Sequence, residues 1–273
     1  MKIQMTRMII RVAILIVTSI MLSACQTTTD TDINPIGTQG SPESRSEFDR
    51  KKAAQTRLSA GLQYLRSGGL QNAKRHLDKA LELGADSGNV HFGIGYYYEQ
   101  IKELKKADKF YKKALKIEPK NPDFLNGYGS FLCNKGEYNN ADKYFNKAID
   151  RPVYQEIISA YTNAGICAKK GGDKDKAASY FRKALNRDEK LPIALIEMAE
   201  VEFEKQRFQR AFSYIKRFEE VSRPTANSLW LALRVAHFRE DKNALASYAI
   251  KLEQLFPDSD ETANFLDSRS QWK

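Results

Sequence analysis

Small and apolar residues recur at helical spacing between residues 88 and 121, with polar residues at the positions between them. Gly95 and Ala107 occupy positions at which two paired helices would touch, because small side chains allow the backbones to approach. Tyr111 fills the space beside them. Pro119 ends the second helix, because it lacks an amide hydrogen and its ring clashes with the preceding turn. The pattern therefore predicts a pair of packed helices in this stretch.

The same frame recurs along most of the chain every 34 residues, with one slip of two residues after position 155. This unit resembles the tetratricopeptide repeat (TPR), a helix–turn–helix unit, with His91 and Tyr111 where the template has Trp and Phe. The last two units match the frame less well, as expected at the end of a repeat array. The six predicted repeats are 54–87, 88–121, 122–155, 158–191, 192–225 and 226–259.

Six such repeats predict an all-α fold, a TPR superhelix of the α-solenoid type. A single repeat cannot bury its own apolar stripe, so stacked repeats must share one elongated core. Residues 54–259 are therefore predicted to form one domain. Residues 260–273 are expected to be a C-terminal tail.

The N-terminus has the pattern of an export signal. Three basic residues, Lys2, Arg7 and Arg11, precede an uncharged run at positions 12–21. That run is shorter than the ~20 apolar residues that span a bilayer and has the length of a signal-peptide core. Residues 22–25, Leu-Ser-Ala-Cys, resemble a bacterial lipobox, at which the cysteine is acylated and the chain is cut before it.

Residues 1–24 are therefore predicted to be a lipoprotein signal peptide, with Cys25 the lipidated first residue of the mature chain. The alternatives are an ordinary signal peptide cut after Ala24 and an uncleaved inner-membrane anchor. In similar lipoproteins an aspartate after the cysteine commonly retains the protein in the inner membrane, whereas this chain has Gln26. We expect attachment to the periplasmic face of the outer membrane. Residues 25–53 are expected to be the lipidated cysteine and a disordered tether, because this stretch is polar and lacks apolar periodicity.

The 44 basic and 34 acidic residues give a net charge of +10, and removing the three basic residues of the signal peptide leaves +7. Nucleic acid is not an expected partner, because an exported protein meets little of it. The second repeat carries a basic stripe. The sequence favours its interpretation as a solvated outer helix face, and an acidic partner or anionic lipid headgroups are the alternative. The stripe comprises Lys102, Lys105, Lys106, Lys109, Lys112, Lys113, Lys116 and Lys120.

The sequence contains no recognisable motif for catalysis or metal binding. His76, His91 and His237 fall in three different repeats, without the spacing of metal ligands. A phosphate-binding glycine loop and a nucleophile elbow are also missing. We therefore expect no enzyme activity, metal, cofactor or small-molecule substrate.

In this fold the first helices of successive repeats line a groove, into which positions two, five, nine and twelve of each repeat point. Apolar side chains at such positions are typical of a peptide- or protein-binding surface. The hypothesis is that the groove binds an extended or helical peptide of a partner. For the leucines of repeat one, the alternative is that the segment around Phe48 folds over them. The predicted groove residues are Leu58, Leu62, Leu65, Phe92, Tyr96, Asn126, Ser130, Thr162, Ile166 and Lys169, with Asn89, Glu99, Ile196, Phe203, Trp230 and Arg234 at equivalent positions.

Cys133 and Cys167 fall on the first helices of repeats three and four, at about the same height. Those helices lie side by side in a solenoid, so a disulfide is sterically reasonable in an oxidising periplasm. Two buried free thiols are the alternative, because free cysteines are often buried.

Several segments together resemble the PilF/PilW family of type IV pilus biogenesis lipoproteins. They are the lipobox, the polar tether, the six repeats, and residues 126–133, 163–168 and 256–259. The resemblance implies a TPR pilotin, a protein that helps the outer-membrane secretin to reach its membrane and assemble its ring, or that stabilises the pilus. It also implies a disulfide between Cys133 and Cys167.

The leading functional hypothesis is thus a non-catalytic outer-membrane lipoprotein that binds the secretin through its TPR groove. One alternative is a general cell-envelope TPR scaffold for peptidoglycan or outer-membrane assembly machinery. An enzyme with an unrecognised site is another.

Overall fold

The computed structural model describes residues 42–268, and within that range the chain forms thirteen helices and no strand. The helices from Ser46 onward belong to one compact unit. No helix in the described range combines the length and apolar character that crossing a bilayer requires. The helices are α1 (Pro42–Arg66), α2 (Leu70–Leu83), α3 (Gly88–Gln100), α4 (Leu104–Ile117), α5 (Pro122–Asn134), α6 (Tyr138–Ile149), α7 (Ile157–Lys170), α8 (Lys174–Leu185), α9 (Pro192–Glu204), α10 (Phe208–Val221), α11 (Ala226–Phe238), α12 (Lys242–Leu255) and α13 (Asp260–Asp267).

The first twelve helices pack as six consecutive pairs. Contacts join α3 to α4, α5 to α6, α7 to α8, α9 to α10 and α11 to α12, while α1 shares a buried apolar cluster with α2. The first helices of neighbouring pairs also contact one another, from α5 through α7 and α9 to α11. The pairs coincide with the six predicted repeats, so the all-α TPR solenoid is confirmed.

Each of the first four pairs is held close by a glycine that faces a large side chain of the partner helix. In the third repeat, a Cβ atom added to Gly129 would lie 2.9 Å from the ring of Phe145. In the fourth repeat, a Cβ at Gly165 would overlap the ring of Phe181 in the same way. Both rings are fully buried, which stabilises the fold by about 1.5–3 kcal/mol for each ring. The glycines therefore serve close approach of the two backbones.

A disulfide joins the third and fourth repeats. Cys133 on α5 bonds to Cys167 on α7, with their Cα atoms 5.7 Å apart, and both side chains are buried. The sequence left open whether these cysteines are bridged or free, and the structure contains the bridge.

The two-residue slip lies in the segment between α6 and α7. This segment is anchored by Tyr154, which is 8% exposed and packs in a cluster with Leu125 and Ala160. Its hydroxyl oxygen accepts a hydrogen bond from Asn126 Nδ2, at 3.3 Å. The extra residues are thus accommodated in a fixed loop, and the stacking of helix pairs continues past it.

Helix α1 begins at Pro42, so residues 42–53 do not belong to a disordered tether as expected. These positions are rich in helix-forming charged residues, and a Glu47–Lys51 pair at 2.6 Å spans one turn. Side chains from Ser46 to Ala53 are exposed, so this part of α1 contributes nothing to the buried core. The alternative in which Phe48 covers the leucines of repeat one is wrong, since Phe48 is 65% exposed.

The expected C-terminal tail contains helix α13, which packs on α11 and α12. Ser259 caps its first turn by accepting a hydrogen bond from the amide of Thr262. Thr262 and Phe265 are buried, and the Thr262 hydroxyl donates to the carbonyl oxygen of Phe256 at 2.7 Å. The last repeat has no following repeat, so α13 covers apolar surface that would otherwise face water. The signal peptide, Cys25 and the remainder of the predicted tether lie outside the described residues.

Replacing both Cys133 and Cys167 by serine should lower the free energy of unfolding by about 3–4 kcal/mol, because the bond closes a long loop in the unfolded chain. Urea unfolding followed by circular dichroism would measure the change. Reductant should destabilise the unsubstituted protein by a similar amount and leave the double variant unaffected. Equal stability of the two proteins under oxidising conditions would show that the bridge contributes nothing.

Candidate partner-binding groove

The candidate site is the face of the first helices that carries positions two, five, nine and twelve of each repeat, called here the groove face. Side chains from successive first helices contact one another across it. Asn163 Nδ2 on α7 donates to Asn126 Oδ1 on α5 at 3.2 Å. Lys169 on α7 reaches Glu200 on α9 at 2.6 Å. The groove face is therefore continuous from α5 to α9. The accessibility of each predicted residue depends on the side chains that pack around it.

The leucines of repeat one are mostly core residues and not groove residues. Leu58 and Leu65 are 4% and 7% exposed, and both pack against α3 in a cluster that includes Ile94. The prediction that they bind a partner is therefore wrong. The reason is Gly93 on α3, where a Cβ atom would overlap the Leu58 side chain. Leu62 is half-buried against the same cluster.

Phe92 is half-buried, and most of its surface is used in packing between repeats. Its ring stacks on Phe124 with centroids 4.9 Å apart and meets Tyr111 edge-on at 5.1 Å. It also occupies the space that a Cβ at Gly127 would need. Phe92 thus joins the second repeat to the third, and only its remaining surface is accessible to a ligand.

Tyr96, one turn further along α3, is 40% exposed and is the most accessible of the predicted aromatic residues. A cavity of about 420 Å³ opens beside it, with Leu65, Arg66 and Gln100 also in its lining. An exposed aromatic ring next to a cavity can bury a partner side chain while its hydroxyl stays in water. The cavity thus combines the accessible Tyr96 ring with the polar groups of Arg66 and Gln100.

The hydroxyl groups predicted at the middle of the groove are used within their own helices. Ser130 Oγ donates to the carbonyl of Asn126 at 3.1 Å, and Thr162 Oγ1 donates to the carbonyl of Ile158 at 2.9 Å. Thr162 is also only 7% exposed, so it is not available to a partner. Asn126 and Asn163 remain as the polar groups at this level. The sequence frame missed Asn163 because it lies one position after Thr162, between the slots that were considered.

A charged network follows at the level of Lys169. Its ammonium group contacts Glu197 at 2.5 Å and Glu200 at 2.6 Å, and all three side chains are at least half-buried. Burial opposes the charge of Lys169, but the hydrogen bonds and charges of both glutamates outweigh it and raise its pKa above the usual value. Lys169 is therefore committed to two internal carboxylates, while Ile166 packs on the core below it.

Arg234 on α11 lies among aromatic rings at the C-terminal end of the groove face. Its guanidinium carbon is 4.7 Å from the Phe203 ring centre and 5.6 Å from that of Trp230. Burial lowers its pKa, although the charges of Glu200 and Glu204 act in the opposite direction. Within the described part of the chain its Nε has no hydrogen-bond partner. This end of the face combines apolar contact with one cationic donor.

Among residues 42–268, no three metal-ligating side chains come together in a way that could hold a metal ion. His91, for instance, is buried, and its Nε2 lies 2.8 Å from the carbonyl oxygen of Ala85. It therefore fixes the start of α3, and burial lowers its pKa.

The repeat architecture and this groove face define the class of the protein. Residues 89–151 match the family described as YpiA-like, C-terminal tetratricopeptide repeats, and residues 158–191 match the tetratricopeptide repeat itself. The solved structure of YrrB, described as a TPR protein with an unusual peptide-binding site, has the same fold at 18% identity and a TM-score of 0.55, over 70% of this chain and 97% of YrrB. The chain is therefore a TPR protein.

More similar proteins define the family within that class. The type IV pilus assembly protein PilF of Pseudomonas aeruginosa is 30% identical over 259 residues, which cover 94% of this chain and 98% of PilF. The solved Pseudomonas PilF structure superposes with a TM-score of 0.71 at 30% identity, over 81% of this chain and 99% of its own. PilW, described as a widely conserved type IV pilus biogenesis factor, superposes with a TM-score of 0.73 at 26% identity, over 78% of this chain and 98% of its own. The chain belongs to the PilF/PilW family.

Substituting Phe92 by alanine should lower the free energy of unfolding by about 2–3 kcal/mol, because its ring packs between two repeats. Substituting Tyr96 by alanine should change it by less than about 1 kcal/mol, because its ring faces water. Chemical denaturation of the two variants measures both values. A larger loss for Tyr96→Ala than for Phe92→Ala would mean that their structural roles are reversed.

Proposed function

We propose that this protein is a non-catalytic outer-membrane lipoprotein of type IV pilus biogenesis, whose groove face binds the secretin and promotes its outer-membrane localisation and multimerisation. Membership of the PilF/PilW family is the observation that carries the proposal, because the chain aligns with PilF over almost its whole length. A TPR scaffold supports a role in protein binding.

The groove face supplies the chemistry for this binding. Tyr96 and the cavity beside it can take an apolar side chain of the secretin segment, and a few buried aromatic anchors carry most of the energy of an interface. Asn163 lies further along the same face, and its carboxamide can pair with the backbone of an extended peptide. Leu58, Leu65 and Thr162 are not part of this binding surface, because they are buried in the repeat core.

The proposed location follows from the N-terminal sequence. The lipobox cysteine, Cys25, would carry the acyl chains, and Gln26 after it favours export to the outer membrane. Two or more acyl chains hold a protein firmly at a bilayer, since each buried methylene contributes about 0.8 kcal/mol. The repeats would then face the periplasm, where the secretin must be captured before it inserts.

The proposal is tested by replacing Tyr96 with glutamate in the native protein and detecting heat-resistant secretin multimers in separated membranes. We expect the outer-membrane multimers to fall by at least about tenfold, because the substitution places a charge where an apolar anchor binds. The repeats should stay folded, since Tyr96 is on the surface.

Tyr64→Glu is the matched control. Tyr64 is the same residue type with the same degree of exposure, 38%, but it stacks on His76 and lies away from the groove positions. This variant should keep normal multimers. If deletion of the whole protein leaves secretin multimers and surface pili unchanged, the pilotin role is wrong, and a general envelope scaffold takes its place.

The proposed anchor has a separate test. Cys25→Ser should release the protein from the outer membrane into the periplasmic fraction, because no acyl chain can be attached to serine at this site. Membrane separation followed by immunoblotting measures the distribution. The Cys133→Ser/Cys167→Ser variant should remain in the membrane fraction, so that the effect is specific to the lipobox cysteine. Retention of Cys25→Ser in the outer membrane would contradict lipid anchoring.

A further inference from the structure

Among the described helices, α4 has the highest net positive charge. Helix α4 carries six lysines against one acidic residue, Asp108, a net charge of +5. The other five second helices, α2, α6, α8, α10 and α12, have net charges between +1 and +3. The excess on α4 is therefore a local feature of repeat two and not a property of the repeat frame.

The lysines lie on the solvent side of α4. Ala107, Tyr111 and Ala114 are buried and mark the face that packs on the core. With 3.6 residues per turn, Lys105, Lys109 and Lys116 fall on the opposite face, and all three are exposed. They form one row along about three turns of helix, called here the lysine face.

The lysine face is not neutralised by neighbouring carboxylates. Lys112 pairs with Asp108 at 2.6 Å, and Lys106 lies 3.5 Å from Glu103. Asp108 and the N-cap residue Glu103 are thus already paired with other lysines. Across residues 42–268 no salt bridge involves Lys105, Lys109 or Lys116. In helix α2, by contrast, Lys74–Asp78 and Lys79–Glu82 pairs compensate two of its three basic residues.

The chemistry of this row fits a layer of phosphates better than a protein surface. Lysine ammonium groups are hydrated point charges, whereas bidentate recognition of a shaped carboxylate site uses arginine, and α4 contains no arginine. Lysine is also depleted from protein–protein interfaces, whose anchors are aromatic residues and arginine. The two exposed apolar residues of α4, Leu104 and Ile117, lie at its two ends, so they do not form an apolar anchor within the lysine face.

The chain outside the described residues indicates where such a layer would be found. In the proposed lipid-anchored protein, residues 26–41 join the acylated Cys25 to helix α1. Even at full extension, sixteen residues span no more than about 55 Å. The start of α1 would therefore stay within that distance of the bilayer, which raises the effective concentration of a weak electrostatic contact.

We propose that the lysine face of α4 docks the repeat domain onto anionic phospholipid headgroups. The contact uses a second helix, whereas the proposed secretin site is on the first helices, so the residues of the two surfaces do not overlap. The inference rests on the proposed membrane anchoring only for its location in the cell, and it can be tested without lipid on the protein.

The test uses the mature chain, residues 25–273, with Cys25→Ser so that it carries no acyl chain. Its co-sedimentation is measured with vesicles of phosphatidylethanolamine and phosphatidylglycerol in an about three-to-one ratio, and with vesicles of phosphatidylcholine alone. We expect binding to the anionic vesicles only, and loss of binding at high salt, because exposed charges are screened. The variant Lys105→Glu/Lys109→Glu/Lys116→Glu should bind at least about 100-fold more weakly, since each lysine strengthens such binding about fivefold.

The matched control is Lys170→Glu/Lys190→Glu/Lys242→Glu, which changes the net charge equally at exposed positions in other parts of the chain. This control should lose much less affinity than the lysine-face variant. Equal losses in the two variants would mean that net charge alone drives binding, and would overturn the proposal. Failure of the parent chain to bind anionic vesicles at low salt would also overturn it and would favour an acidic protein as the partner of α4. Because the assay contains no secretin, neither result affects the proposed secretin site.

Discussion

The close contact between a small residue on one helix and a large ring on its partner is the constraint on which this structure depends. Gly129 against Phe145 and Gly165 against Phe181 bring the helix axes of each pair together and bury the rings. Neighbouring pairs are joined by other contacts, such as the hydrogen bond from Asn163 to Asn126.

Packing between repeats and accessibility to a partner compete for the same positions on the groove face. Where the next first helix offers a glycine, the preceding side chain inserts and becomes core, as Leu58 does opposite Gly93. Tyr96 has no such neighbour and stays 40% exposed. The proposed binding surface is thus the set of groove positions that the stacking of repeats does not use. For this reason, groove positions in successive repeats can hold a buried residue, such as Leu58, or an exposed one, such as Tyr96.

The two helix layers carry surfaces of different chemistry. The first helices present aromatic and amide groups, including Tyr96 and Asn163, whereas α4 in the second layer presents the uncompensated lysine face. Apolar anchors suit a peptide, and a row of ammonium groups suits a charged sheet of headgroups. The proposed lipid-anchored adaptor would use both kinds of contact, because it would hold a partner while remaining at the membrane.

The sequence predicts the repeat frame and the six helix pairs, because close helix packing demands particular side-chain sizes at fixed spacing. The same frame places Cys133 and Cys167 on neighbouring first helices. The sequence could not decide whether Leu58 and Leu65 face a partner or the core, since that depends on the side chains of the next repeat. The helical start of α1 at Pro42 and the packing of α13 also required the tertiary structure. Local patterns determine which helices form, whereas the accessibility of each side chain is set by residues distant in sequence that pack against it.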